Sequence, residues 1–133
     1  MADSTITLVG NLTRDPELKF LDSGLPAVKF SLAVNRKWKD NRGEEKEQVS
    51  YFDCSALGSI AENIATSLKK GERAIVTGRL EQRTWETPEG EKRSVVEVKV
   101  EACGPELRFA VTTTSRIPNQ ASPGKSVLHE DHF

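Results

Sequence analysis

The 133-residue sequence predicts an all-β domain carrying one helix. Three observations carry this. Apolar Val28, Phe30, Leu32 and Val34 alternate with Lys29, Ser31, Ala33 and Asn35, the period-two pattern of a strand with one packed face. Turn signals recur between such stretches, at Asp22-Ser23-Gly24, Asn41-Arg42-Gly43 and Pro88-Glu89-Gly90. Helical spacing of apolar residues occurs over Ile60, Ile64 and Leu68.

In chain order, Thr5 to Leu12 reads as the first strand, with Gly10-Asn11 marking a bend or bulge. Glu17 to Leu21 and Ala27 to Trp38 flank a turn and form a hairpin-like pair. Lys37 to Glu47 is densely charged and reads as an exposed loop before a strand from Gln48 to Leu57. Ser59 with Glu62 forms a capping-box signature for the helix, and Lys69-Lys70-Gly71 supplies its stop. Arg73 to Trp85 and Arg93 to Cys103 form a second hairpin with Val96, Val98 and Val100 facing the core, and Leu107 to Thr113 adds a final strand. With Glu17 to Leu21 and Ala27 to Trp38 taken together as one hairpin unit and Leu107 to Thr113 as an extra strand, the order is three strands, a helix and two more strands, that of an OB-fold, a five-stranded Greek-key barrel. Periodicity ends near Thr114, and Ser115 to Phe133, with Pro118, Pro123 and Gly124, reads as a disordered tail; residues 1–114 are the domain.

Composition narrows the function. No apolar run approaches the ~20 residues of a membrane span, and Met1-Ala2-Asp3-Ser4 has no signal-peptide character, so a cytoplasmic location without membrane partners is expected. Cys54 and Cys103 are too few for a zinc site, and His129 and His132 lie in the tail, so neither a metal nor a cofactor is expected. Each cysteine reads as a small buried thiol; the alternative is a disulfide, with Cys103 opposite in parity to Val96, Val98 and Val100 and so able to meet another subunit. Glu44-Glu45 and Glu89 with Glu91 fall in turns, where unburied carboxylates offer no general acid at neutral pH, so no enzyme is expected.

Trp38, Tyr51 and Trp85 stand in three separate strand-like segments among basic residues. A lone strand tryptophan often merely pins a hairpin. Lys37 and Lys39 beside Trp38, and Arg79 and Arg83 on the face of Trp85, favour exposed stacking platforms instead. Flat rings interleaved with cations are the chemistry of single-stranded nucleic acid, since every base has a π-face and the cations track phosphates. Net charge is only −1, so attraction must come from local concentration of positive charge. A protein-interaction module on the same fold is the alternative, distinguished by its weak response to salt.

Gly10-Asn11-Leu12-Thr13-Arg14-Asp15-Pro16-Glu17, Trp38, Lys46-Glu47-Gln48 and Gly78-Arg79-Leu80 together resemble bacterial single-stranded DNA-binding proteins over about Ser4 to Val111. Gly104-Pro105-Glu106-Leu107-Arg108-Phe109-Ala110 is similar to the branch found in high-GC Gram-positive bacteria, in which a last strand clamps a dimer. The resemblance implies an OB-fold, a homotetramer built as a dimer of dimers on the nucleoid, no catalysis, and service in DNA replication, recombination and repair. It implies base stacking by Trp38, Tyr51 and Trp85 and phosphate contacts from Lys39, Lys46, Lys70, Arg79 and Arg83.

The chain departs from that pattern in three places. Leu57 stands where an aromatic is usual, and Asp53 lies where some members carry arginine and should repel phosphate. In the tail, through which members of the family recruit replication and repair proteins, only the terminal Phe133 keeps the docking pattern, and Arg116 and Lys125 balance Glu130 and Asp131. These departures suggest a specialised copy serving DNA uptake or chromosome handling.

Overall fold

In the computed structural model, which describes residues 4–118, the chain forms six strands and a helix. They are β1 (Thr5–Leu12), β2 (Glu17–Phe20), β3 (Pro26–Lys39), β4 (Glu45–Leu57), α1 (Ser59–Ser67), β5 (Arg73–Glu86) and β6 (Lys92–Pro105). The ladder runs β1-β5-β6-β4-β3 and returns from β3 to β1, closing a five-stranded barrel of OB-fold order. β4 and β6 pair in parallel, setting Cys54 beside Val98 and Ser55 beside Lys99. The extra strand, β2, carries on along β3 where β1 leaves it, pairing Leu18 with Val28.

Alternation fills the barrel. Leu8, Val28, Phe30, Leu32, Cys54, Val76 and Val98 are buried together, and α1 adds Ala61 and Ile64, with Leu68 just past its end. Burying one such side chain is worth about 1.5–3 kcal/mol, so this cluster carries the fold. Closure depends on Gly10: a Cβ there would lie 2.5 Å from the Ala33 carbonyl oxygen, so β1 and β3 meet only because that side chain is absent. Of the bend or bulge expected at Gly10-Asn11, no bulge forms, because the β1–β5 register is unbroken there while β1 passes on to β3 at Asn11; a bulge lies between β5 and β6, at Thr77/Gly78.

β3, β5 and β6 each run 14 residues, roughly 45 Å at about 3.3 Å per residue. Their distal halves extend past the core as two hairpin arms. The charged stretch expected to be a loop, Lys37 to Glu47, is therefore largely strand, paired out to Lys39 opposite Glu45. Its charges reflect a ribbon that is wet on both faces. The tip is a short turn in which Asp40 Oδ1 accepts the N–H groups of Arg42 and Glu44, each at 2.9 Å. For the same reason Val96, expected in the core, is 55 % exposed on the β5–β6 arm, while Val98 and Val100 are buried.

Three further expectations are corrected. Gly58, at φ 91°, is the N-cap of α1 and makes Ser59 the first helical residue, one position too late to close a capping box with Glu62. The β5–β6 bulge pairs Gly78 with Val100 but Thr77 with Ala102, which reverses parity and sets Cys103 opposite buried Val76. Cys103 is thus half-buried against the core rather than turned outward, and both Cys54 and Cys103 are free thiols. Finally, Leu107 to Thr113 forms no strand within the single chain, where it pairs with none of the six strands. It is held instead by Arg73, which ion-pairs with Glu106 and lies 5.6 Å from the Phe109 ring centroid. Phe133 and the tail from residue 119 onward lie outside the described residues.

Candidate nucleic-acid interface

In an antiparallel or parallel ladder, paired residues project to one face. Tyr51, Asp53, Ser55 and Leu57 of β4 therefore share the outer face of the barrel with Lys29, Ser31 and Ala33 of β3. The Lys99 Nζ donor, 3.3 Å from Ser55 Oγ, joins that face to β6. β5 continues it, because Arg79 pairs with Lys99, Arg83 with Val95 and Trp85 with Arg93. The common face of Arg79, Arg83 and Trp85 read from parity is therefore the one that carries Tyr51. Tyr51 is 69 % exposed and Trp85 43 %, so neither ring is part of the core.

Trp38 occupies a different place. It shares parity with Val34 and Arg36, pairs with Lys46, and so projects from the opposite face of the β3–β4 arm. Its ring is 38 % exposed, with the Arg36 guanidinium 4.6 Å from the centroid. The Arg83 guanidinium lies 4.9 Å from the Trp85 ring in the same way. Each tryptophan thus carries a cation on its ring, the pairing of stacking surface and phosphate partner at one spot. Arg36 was missed in the sequence; its position two residues before Trp38 on a strand was the available signal.

Most of the expected phosphate ligands already have partners. Arg79 Nη1 lies 2.9 Å from Glu81 and its Nε 3.3 Å from Glu101. Lys46 Nζ lies 3.5 Å from Glu44 and 3.9 Å from Asp40. Glu97, only 13 % exposed, sits between Arg83 at 3.3 Å and Lys99 at 3.4 Å. Burial pushes the Glu97 carboxyl up, but the hydrogen bonds and charges of Arg83 and Lys99 together outweigh it and hold the group below its ordinary range. Lys39, at the end of β3, is exposed, while Lys70 stands apart from the sheet face in the α1–β5 turn, its backbone N–H donating to Asp15 Oδ1 at 2.8 Å.

Between these groups the outer face is concave. A cleft of about 230 Å³ is lined by Arg14, Lys29, Asp53, Ser55, Arg83 and Glu97. Arg14 and Lys29 add positive charge that the motif reading did not assign. Arg14 follows β1 in sequence and reaches the sheet face only through the fold.

Cys54 lies at the floor of this cleft with its side chain in the core, and Cys103 is half-buried against the core. Burial, with Cys103 and Asp53 nearby, pushes Cys54 up to about 12, and burial pushes Cys103 up to about 11, so both stay protonated at neutral pH. Among the described residues there is no cluster of metal-ligating side chains, and no helix is long and apolar enough to cross a membrane.

A sequence profile of the single-strand binding protein family matches residues 3–110. The chain belongs to that family. Within the single-strand binding protein family it is 49 % identical over 116 residues to a single-stranded DNA-binding protein of Mycobacterium leprae, covering 86 % of this chain and 69 % of the relative. It is 48 % identical to the protein of the same name from Mycolicibacterium smegmatis, covering 86 % and 70 %. The crystal structure of a small single-stranded DNA-binding protein from Streptomyces coelicolor superposes with a TM-score of 0.67 at 30 % identity, covering 80 % of this chain and 97 % of that one. These relatives agree with the high-GC Gram-positive branch read from the sequence.

Proposed function

We infer that this chain binds single-stranded DNA, largely independently of sequence, by laying bases on exposed rings and phosphates on the cations between them. The observation that carries the reading is the outer face itself. Tyr51 and Trp85 stand on one continuous sheet surface with Lys29, Arg79 and Arg83 around them. Trp38, with Arg36 and Lys46, supplies a further platform reached when the strand passes around the β3–β4 arm. Lys39 lies along that route, and Lys70 serves strand leaving the sheet. Binding and protection of the strand require no catalytic step.

We propose that it serves replication, recombination and repair on the nucleoid, in the cytoplasm; the shared family and the relatives' name, single-stranded DNA-binding protein, support the strand binding this requires. Exposed Leu107, Phe109 and Val111 favour self-association, and we propose the dimer-of-dimers tetramer, with Leu107 to Thr113 pairing once a second copy offers an edge. One strand that spans several subunits then gains affinity by effective concentration. A specialised copy for DNA uptake or chromosome handling, and partner docking through Phe133, stay within this proposal, as does the division into a binding domain of residues 1–114 and a tail.

Quenching of tryptophan fluorescence by a thymidine oligomer at low and high salt, with a duplex of the same length as control, tests the reading. Strong quenching by the single strand that weakens with salt is expected, with log affinity falling by about 0.7 per neutralised phosphate for each log unit of salt. No quenching of folded protein would overturn it.

A further inference from the structure

Asp53 is the one carboxylate lining the cleft that has no ion pair or side-chain hydrogen bond among the described residues; Glu97, its neighbour there, is held by Arg83 and Lys99. It lies two residues from Tyr51 on the same face of β4, about 7 Å along the strand. A base stacked on the exposed Tyr51 ring therefore has Asp53 within reach of one edge. Arg14, Lys29 and Arg83 line the same cleft and can take the flanking phosphates. Simple repulsion of the strand is therefore not the only outcome for a carboxylate in this position.

We propose that Asp53 reads the edge of the base stacked on Tyr51 and selects guanine there, making one base-specific position on an otherwise indifferent surface. The inference rests on the strand-binding reading above. A carboxylate only accepts hydrogen bonds, so it favours a base edge rich in donors. Guanine presents N1–H and an N2 amino hydrogen side by side, one for each carboxylate oxygen. Adenine and cytosine each offer a single amino group. Thymine offers one N3–H between two carbonyl oxygens, which face the carboxylate unfavourably. The order of preference is guanine, then cytosine and adenine, then thymine.

The test is a fluorescence-anisotropy titration with labelled thymidine oligomers carrying a single central dG, deoxyinosine, dA, dC or no substitution. A lone guanine avoids self-structure, and deoxyinosine keeps N1–H but lacks the N2 amino group. Wild type should bind the dG oligomer about fivefold more tightly than all-dT, the low end for a bidentate base contact because the cleft is open to water. Deoxyinosine should recover only part of that gain. Asp53→Ala should abolish the preference while binding all-dT at least as tightly as wild type does. Equal wild-type affinities for every oligomer, with a uniform gain in Asp53→Ala, would overturn the proposal and leave Asp53 as a phosphate repeller. Absence of wild-type binding to any oligomer would instead overturn the strand-binding reading itself.

Discussion

Glu97→Gln should tighten binding to single-stranded DNA. In the free protein Glu97 occupies Arg83 and Lys99, so a phosphate must displace it before either cation can be used. Arg83 is 56 % exposed and Lys99 38 %, which places both pairs in the solvent-screened class worth about 0.2–1 kcal/mol each. Removing that competition at two contacts raises affinity roughly 2- to 30-fold. pH supplies a second readout. The free protein holds Glu97 below its ordinary range, and a strand that draws the two cations away lets its pKa rise. Binding then takes up part of a proton, so wild-type affinity should increase as pH falls toward the carboxylate range, and the variant should lose part of that increase. Anisotropy titrations of a labelled thymidine oligomer at about pH 5 and about pH 8, at fixed salt, measure both effects. Weaker binding by the variant, with an unchanged pH slope, would refute the argument and make Glu97 a residue that orients Arg83 for the strand.

The same carboxylate affects stability with a definite sign. Its folded pKa is lowered, so its contribution is present above the unfolded value and lost as pH falls through the folded one; the urea midpoints of wild type and Glu97→Gln should converge in acid. Trp85→Ala should cost about 1–3 kcal/mol of binding, and more than Lys46→Ala, since Lys46 is already paired with Glu44 and Asp40. Lys46→Ala should instead make the salt slope shallower by about 0.7, read from titrations across a salt series. Leu57→Phe restores a ring on the Tyr51 face and should tighten binding to a thymidine oligomer about fivefold; an unchanged affinity would mean that the strand does not reach the end of β4. Gly10→Ala drives a Cβ to 2.5 Å from the Ala33 carbonyl oxygen at the barrel seam and should destabilise by about 1–3 kcal/mol in urea denaturation.

The barrel was legible in the sequence because its strands are half-buried: Val28, Phe30 and Leu32 must alternate with outward residues if one face packs on a core. The two arms were harder to read. Wet on both faces, the charged Lys37 to Glu47 lacks alternation and looked like a loop, while Val96 keeps the parity of Val98 and Val100 beyond the end of the core and so looked buried. The ring residues and the shared face of Arg79, Arg83 and Trp85 were accessible from composition and parity, which are properties of one strand at a time. Tertiary structure decided everything that crosses strands. It reversed Cys103 through a bulge, separated Trp38 from the Tyr51–Trp85 face, and brought Arg14 and Lys29 to a cleft with Arg83. It also matched the cations to Glu81, Glu97 and Glu101. Local periodicity records which side of a strand a residue occupies, whereas register, bulges and barrel closure determine which residues from distant strands meet there.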